Sequence, residues 1–317
     1  MREIRLLLDG LGFPESTRWR DGRVWLCNWG AGEVLAVTPG GEREVMARLA
    51  PQTLPFSIDW LPDGRLLIID GPQRLLLRQE TDGTLEVSAD LTGFGSAPFN
   101  ELVVDAAGNA YVNGGPGILV YVAPDGTSRE VADGLQWPNG MAFLDDDRTL
   151  VVADSHAKQL VGFDVAQDGT LSGRRVWATL EHAPDGICAD AEGAVWVASV
   201  PGQHCVRVRE DGEVLDVVAV DRGCFACMLG GEDGRTLFIA AAEWRGMEVA
   251  MSEGPSDRTV ARGAQAARVA RGPSIVPSAP PMSYVDPSPG SSRPRFGRAV
   301  RGVPRMAVMS ARCSGWS

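Results

Sequence analysis

Asp21-Gly22-Arg23-Val24-Trp25 reads as a tight turn running into a strand, and the same unit returns five more times. It comes back as Asp63-Gly64-Arg65-Leu66-Leu67, Ala107-Gly108-Asn109-Ala110-Tyr111, Asp147-Arg148-Thr149-Leu150-Val151, Glu192-Gly193-Ala194-Val195-Trp196 and Asp233-Gly234-Arg235-Thr236-Leu237. The steps between these turns are 42, 44, 40, 45 and 41 residues. A period of about 40 residues is the mark of a repeat architecture. A short apolar stretch precedes each turn, such as Ile58-Asp59-Trp60-Leu61 or Leu102-Val103-Val104, and a strand follows it. Second turns such as Thr38-Pro39-Gly40 and Ala123-Pro124-Asp125-Gly126 close further hairpins. Short runs rich in Val, Leu and Trp between Gly, Asp and Pro are strands, and one unit has room for four. Helical periodicity is hard to find before residue 259. The spacing predicts an all-β six-bladed β-propeller over residues 1–259, a radial array that protects its sheet edges. Two β-sandwiches would leave six evenly spaced turns unexplained.

Four stretches stand at the entry to the first strand of a unit: Phe13-Pro14-Glu15-Ser16, Pro98-Phe99-Asn100-Glu101, Trp137-Pro138-Asn139-Gly140 and Ala183-Pro184-Asp185-Gly186. In a propeller the innermost strand of each blade lines a central channel. Glu15, Asn100, Asn139 and Asp185 should therefore ring that channel near one rim. Two carboxylates and two amide oxygens converging on a point suit a hard divalent cation. Ser57 holds the equivalent place in the second unit, and the Cys224–Cys227 region in the sixth, so the ring is completed by a hydroxyl and an apolar wall.

The formal net charge is −11, which argues against a nucleic-acid surface and fits a small-molecule ligand. Lys158 is the only lysine among 30 basic residues, a bias expected of GC-rich DNA. Leu6-Leu7-Leu8 is too short for a signal-peptide core, and no apolar run approaches the ~20 residues that span a bilayer. With six scattered cysteines, the expectation is a reduced cytoplasmic protein without a membrane segment. Residues 260–317 differ: nine arginines against Asp286 alone, with 23 of 58 residues Gly, Pro or Ser. This segment is expected to be a disordered tail. The abrupt change near residue 259 suggests a shift of reading frame.

Taken together, the repeat and the channel residues resemble the regucalcin / senescence-marker-protein / gluconolactonase (LRE-like) family of six-bladed propellers. The resemblance rests on Pro14-Glu15 with Trp19, Phe99-Asn100-Glu101 before Val103-Val104-Asp105, and Pro138-Asn139-Gly140. Pro184-Asp185-Gly186 with Trp196, and Cys227-Met228-Leu229-Gly230-Gly231 before Thr236-Leu237-Phe238, complete it. It implies one divalent metal ion (Ca, Zn, Mg or Mn) held at the positions of Glu15, Asn139 and Asp185. It also implies that Asn100 faces substrate or metal, and that the chain hydrolyses a sugar lactone or related ester. Two departures stand out: Pro98 occupies a position where some members carry a sugar-acid-binding arginine, and Val260-Ala261-Arg262-Gly263 replaces the usual closing strand.

Lactone hydrolysis needs a polarised carbonyl and an activated water, and a bound divalent cation supplies both. Asp185 is the candidate base, or the group that orients the water. The bland reading makes Glu15 and Asp185 turn residues and Asn139-Gly140 a hairpin signal. The rival functions are a phosphoesterase-like hydrolase on the same fold and a binding module with a structural metal. Asp154-Ser155-His156 lacks a nucleophile elbow and reads as a turn. His182 and His204 lack zinc spacing, and Cys224-Phe225-Ala226-Cys227 reads as buried strand. Trp29, Trp137 and Trp244 are candidates to wall a ligand pocket.

Overall fold

The computed structural model describes residues 4–51, 53–115, 117–244 and, as backbone, 265–268. All of these belong to one compact unit, Met1–Ser278. The repeated turns produce six four-stranded antiparallel sheets among the described residues. Sheet 1 comprises Pro14–Arg20, Arg23–Asn28, Glu33–Val37 and Arg43–Arg48, in order. Sheet 2 (Phe56–Trp60 to Leu85–Asp90), sheet 3 (Phe99–Val104 to Ser128–Ala132), sheet 4 (Pro138–Leu144 to Leu171–Thr179) and sheet 5 (Ile187–Ala189 to Val214–Ala219) repeat this meander. The first strand of each sheet touches the first strand of the next, and Gly223–Gly230 of sheet 6 touches Pro14–Arg20 of sheet 1. The architecture is an all-β propeller.

The apolar alternation of the strands is spent between the sheets. Six clusters of buried side chains lie one at each junction of neighbouring sheets. Val24, Leu26 and Leu35 of sheet 1 meet Phe225 and Phe238 of sheet 6. Val103, Tyr111 and Leu119 of sheet 3 meet Leu150, Val152 and Val161 of sheet 4. Burying one such Val or Leu stabilises by roughly 1.5–3 kcal/mol, so each junction holds its sheets without a shared central core. The channel can therefore be lined with polar groups.

Sheet 6 departs from the meander. Gly223–Gly230 and Thr236–Ala242 are followed by Gln265–Arg268, which pairs with Ile4–Leu6 from the start of the chain. The expected propeller boundary at residue 259 and the reading of 260–317 as tail leave out this strand. Gln265-Ala266-Ala267-Arg268 shows little strand propensity. Two partners, Phe238 opposite Ala266 and Arg5 opposite Ala266 on the other edge, satisfy its backbone instead. Residues 269–317, and with them the rest of the expected tail, lie outside the described residues.

Candidate metal centre

The first strands of sheets 1, 3, 4 and 6 each carry one register shift of a single residue. The shifts fall between Glu15 and Arg18, Phe99 and Leu102, Pro138 and Met141, and Cys224 and Ala226. Such a bulge re-aims the side chains beside it. Asn100 and Asn139 lie inside their bulges and Glu15 opens its own, followed by Ser16 at φ 52°. Asn139-Gly140 thus lies within a strand and makes no hairpin turn.

Backbone groups released by the bulges stitch neighbouring sheets together at the rim. Gly140 N donates to Asp185 O at 3.1 Å, and Gly186 N donates to Phe225 O at 2.8 Å. The Asn113 amide donates to Asn139 O at 2.6 Å. Only glycine allows this approach at residue 140, where a Cβ would stand 2.5 Å from Ile187 N and 2.7 Å from Asp185 O. The same packing places Asp185 just ahead of the short strand Ile187–Ala189.

All four sequence-predicted residues are brought together. Asn100 Nδ2 donates to Asn139 Oδ1 at 3.1 Å. The Asn139 amide lies close enough to the Asp185 carboxylate to favour its ionised form, and Asp185 is close enough to act on the charge of Glu15. Glu15 is buried, while Asn100, Asn139 and Asp185 are half-buried, as expected at the floor of an open channel. Burial, then the Asp185 charge, pushes the Glu15 carboxyl well above its ordinary range. Burial, then the Glu101 charge, does the same to Asp185. Asp185 Oδ1 is enclosed and has no hydrogen-bond partner.

This donor set suits a hard divalent cation. Two carboxylates and an amide oxygen are oxygen ligands of the calcium, magnesium or manganese type, whereas closed zinc sites draw on Cys and His. Among the described residues no group of three or more His, Cys, Asp or Glu is placed to hold a metal, so the Asn139 amide is needed as third donor. An orphaned carboxylate oxygen and two carboxyls held above their usual range mark a surplus of negative charge that one such cation would offset.

A layer beneath the site was not singled out from the sequence. Glu101, 5% exposed, accepts from Arg18 Nη2 at 2.9 Å, from Ser16 Oγ at 3.0 Å and from Ser57 Oγ. Arg18 also donates to Leu102 O at 2.9 Å. The one sequence signal was adjacency, since Glu101 follows Asn100 and Arg18 lies three residues after Glu15. Nothing local shows that residues 83 apart would pair.

The remaining motifs resolve simply. Ser155 Oγ donates to Pro184 O at 2.6 Å, Asp154 accepts the Gln136 and Trp137 N–H groups, and His156 stacks on Trp137. No triad forms. Cys224 and Cys227 are buried in strand Gly223–Gly230 and unpaired, as are Cys27, Cys188 and Cys205. His182 and His204 pack ring to ring at 5.3 Å.

Residues 13–243 match the SMP-30/Gluconolactonase/LRE-like region. The chain belongs to this family. Among SMP-30/Gluconolactonase/LRE-like relatives, regucalcin of Oryctolagus cuniculus is 32% identical over 133 residues, 40% of this chain and 44% of its own length. The 6-deoxy-6-sulfogluconolactonase of Pseudomonas putida is 28% identical over 165 residues, 48% of this chain and 56% of its own. The match thus spans about half the length of these curated relatives. The solved structure of a calcium-binding regucalcin from Agrobacterium tumefaciens has a TM-score of 0.68 at 19% identity, covering 86% of this chain and 97% of that one. At that identity the likeness is one of fold. No helix among the described residues is long and apolar enough to cross a membrane.

Proposed function

We propose that this chain is a metal-dependent hydrolase that opens a small lactone or related ester, with sheet 6 serving as the sixth blade of a six-bladed propeller. The observation that carries it is the convergence of Glu15, Asn100, Asn139 and Asp185, with Asp185 Oδ1 buried and unpartnered. Family membership and the printed activity of the Pseudomonas putida relative support the reaction class. The calcium-binding relative supports an oxygen-ligated divalent cation.

Glu15, Asp185 and the Asn139 amide oxygen are the groups that would hold the metal. A divalent cation at this point supplies carbonyl polarisation and a water of lowered pKa. Asp185 Oδ1 orients the attacking water and can accept its proton, because no other donor claims that oxygen. Asn100 Nδ2, now turned to Asn139, is the N–H available to the substrate carbonyl or ring oxygen. Buried Glu15 fixes charge without reaching solvent. The expected setting is the cytoplasm, in keeping with five unpaired described cysteines.

The test is turnover of a lactone panel by chelated protein with Ca²⁺, Mg²⁺, Mn²⁺ or Zn²⁺ restored singly. Activity that returns with one cation, and is lost in Glu15→Gln and Asp185→Asn with folding retained, supports the reading. Tight metal binding by folded protein without turnover of any lactone or ester would replace it with a binding module.

A further inference from the structure

The rim around the four channel residues is aromatic. Phe13, two residues before Glu15, stands at φ 67°, a left-handed conformation that is costly for a bulky side chain. Its ring stacks on Trp29 at 5.1 Å with 9° between planes, and meets Phe225 at 4.8 Å and Trp244 at 5.8 Å. Phe225 and Trp244 meet each other at 5.7 Å. Trp29 and Phe225 are buried, Phe13 is half-buried, and Trp244 keeps 40% of its surface exposed. A second platform stands on sheet 4, three steps from sheet 1 around the ring in either direction. There Trp137, two residues before Asn139, is 42% exposed and stacks on His156 at 5.2 Å. Asn100 Nδ2 lies 3.5 Å from Pro138 O, so the Trp137 platform is continuous with the polar centre.

The residues leading into the channel groups sharpen the contrast. Phe13-Pro14, Ala97-Pro98-Phe99, Trp137-Pro138 and Ala183-Pro184 contain no charge and no hydroxyl. A polyhydroxylated ring drawn between such walls leaves its hydroxyls without partners, at a cost of about 1–3 kcal/mol for each one desolvated. An aryl or alkyl group gains on the same surface, through burial and through ring stacking.

We propose that the preferred substrate is a lactone bearing an aryl or alkyl substituent, with its ester at the Asn100–Asp185 centre and its substituent on the Trp137 and Trp244 faces. The inference rests on the lactone-hydrolase reading above and narrows its substrate class. Water adds to the acyl carbon, the acyl C–O bond breaks, and one hydroxy acid forms with nothing oxidised or reduced. The proton lost from the carboxyl passes to solvent.

Three substrates isolate the substituent: γ-phenyl-γ-butyrolactone, unsubstituted γ-butyrolactone and δ-gluconolactone, each assayed with the cation that supports turnover. The expected kcat/KM for the phenyl compound is about tenfold or more above both others, the range a hydrophobic pocket provides. Trp137→Ala should lower the phenyl-to-unsubstituted ratio severalfold through KM, and Trp244→Ala serves as the second variant on the other platform. Faster turnover of δ-gluconolactone, or a ratio unmoved in both variants, would overturn the inference while leaving lactone hydrolysis intact. If no lactone is turned over, calorimetry with the lactam 5-phenyl-2-pyrrolidinone separates the two ideas. Binding that weakens in Trp137→Ala keeps the apolar site and removes the reaction, whereas no binding removes both.

Discussion

The Asn100 amide donates to Asn139 Oδ1 at 3.1 Å across 39 residues of chain, joining the first strands of sheets 3 and 4. The two side chains meet because equivalent bulges hold them. Asn139 continues the line to Asp185, ahead of sheet 5. Three neighbouring units thus contribute to one polar row, which ends on an unpartnered carboxylate oxygen.

Neutralising either carboxylate should therefore act in opposite directions on the two forms of the protein. Glu15 and Asp185 are both held above their ordinary range, so ionising them at neutral pH costs stability in the absence of a cation. Glu15→Gln and Asp185→Asn are expected to raise the Tm of chelated protein at pH 7 and to abolish the further rise that Ca²⁺ produces in the parent. Scanning calorimetry with and without cation measures both. A parent whose Tm is indifferent to every divalent cation would count against the metal centre.

Arg18 and Glu101 make a separate case, because this pair sits beneath the site and is already neutral as a unit. Side-chain exposures of 12% and 7% leave little water to stabilise either charge alone. Arg18→Met leaves the Glu101 carboxylate with the Ser16 and Ser57 hydroxyls and the Leu102 N–H but no cation, at a cost of about 3–5 kcal/mol. Urea unfolding of Arg18→Met, Glu101→Gln and the double variant gives the coupling between them. The double variant should be less destabilised than the sum of the singles.

Gly140 tests the close approach of sheets 4 and 5. An added methyl group meets backbone at 2.5 and 2.7 Å, which no rotamer change relieves. Gly140→Ala should cost about 1–3 kcal/mol and weaken cation binding, because the displaced backbone carries Asp185. Gly93, where a Cβ would meet nothing within 4 Å, is the control and should tolerate alanine. Urea midpoints and calorimetric metal titration report the two effects.

A pH dependence follows from His204, whose imidazole is held below its ordinary pKa by burial and then by His182. The unfolded chain then takes up its proton at higher pH than the native protein does. The stability involved is fully present above the unfolded value of about 6.5 and is lost as pH falls through it toward the lower native pKa. Urea midpoints measured between pH 7.5 and 5 should decline less steeply in His204→Gln than in the parent. Equal slopes would remove His204 as a source of the decline.

The readable parts of this protein are those with short range. Asp21-Gly22, Asp63-Gly64 and Asp233-Gly234 mark turns because Gly tolerates their backbone, and Gly22, Gly64 and Gly234 all adopt positive φ. The flanking apolar runs become strands for equally local reasons, so the repeat was legible. Glu15, Asn100, Asn139 and Asp185 were legible because they occupy matching places in that repeat. Ser57 was also read as one of the ring, yet it faces Ser16 and Glu101 in the layer below. Sheet 2 has no register shift at that point to turn it toward Asn139.

By itself, the sequence determined the unit: the turns, the alternating strands, and one polar residue at the entry to the first strand in four of six repeats. Tertiary structure alone decided how those units meet. Ile4–Leu6 completes a sheet with Gln265–Arg268, Arg18 finds Glu101, and Trp244 meets Phe13 and Phe225. The physical reason is that strand character, turn type and glycine freedom depend on neighbours along the chain. The pairing of an edge, a buried charge or an aromatic face depends instead on which distant surface packing brings within reach.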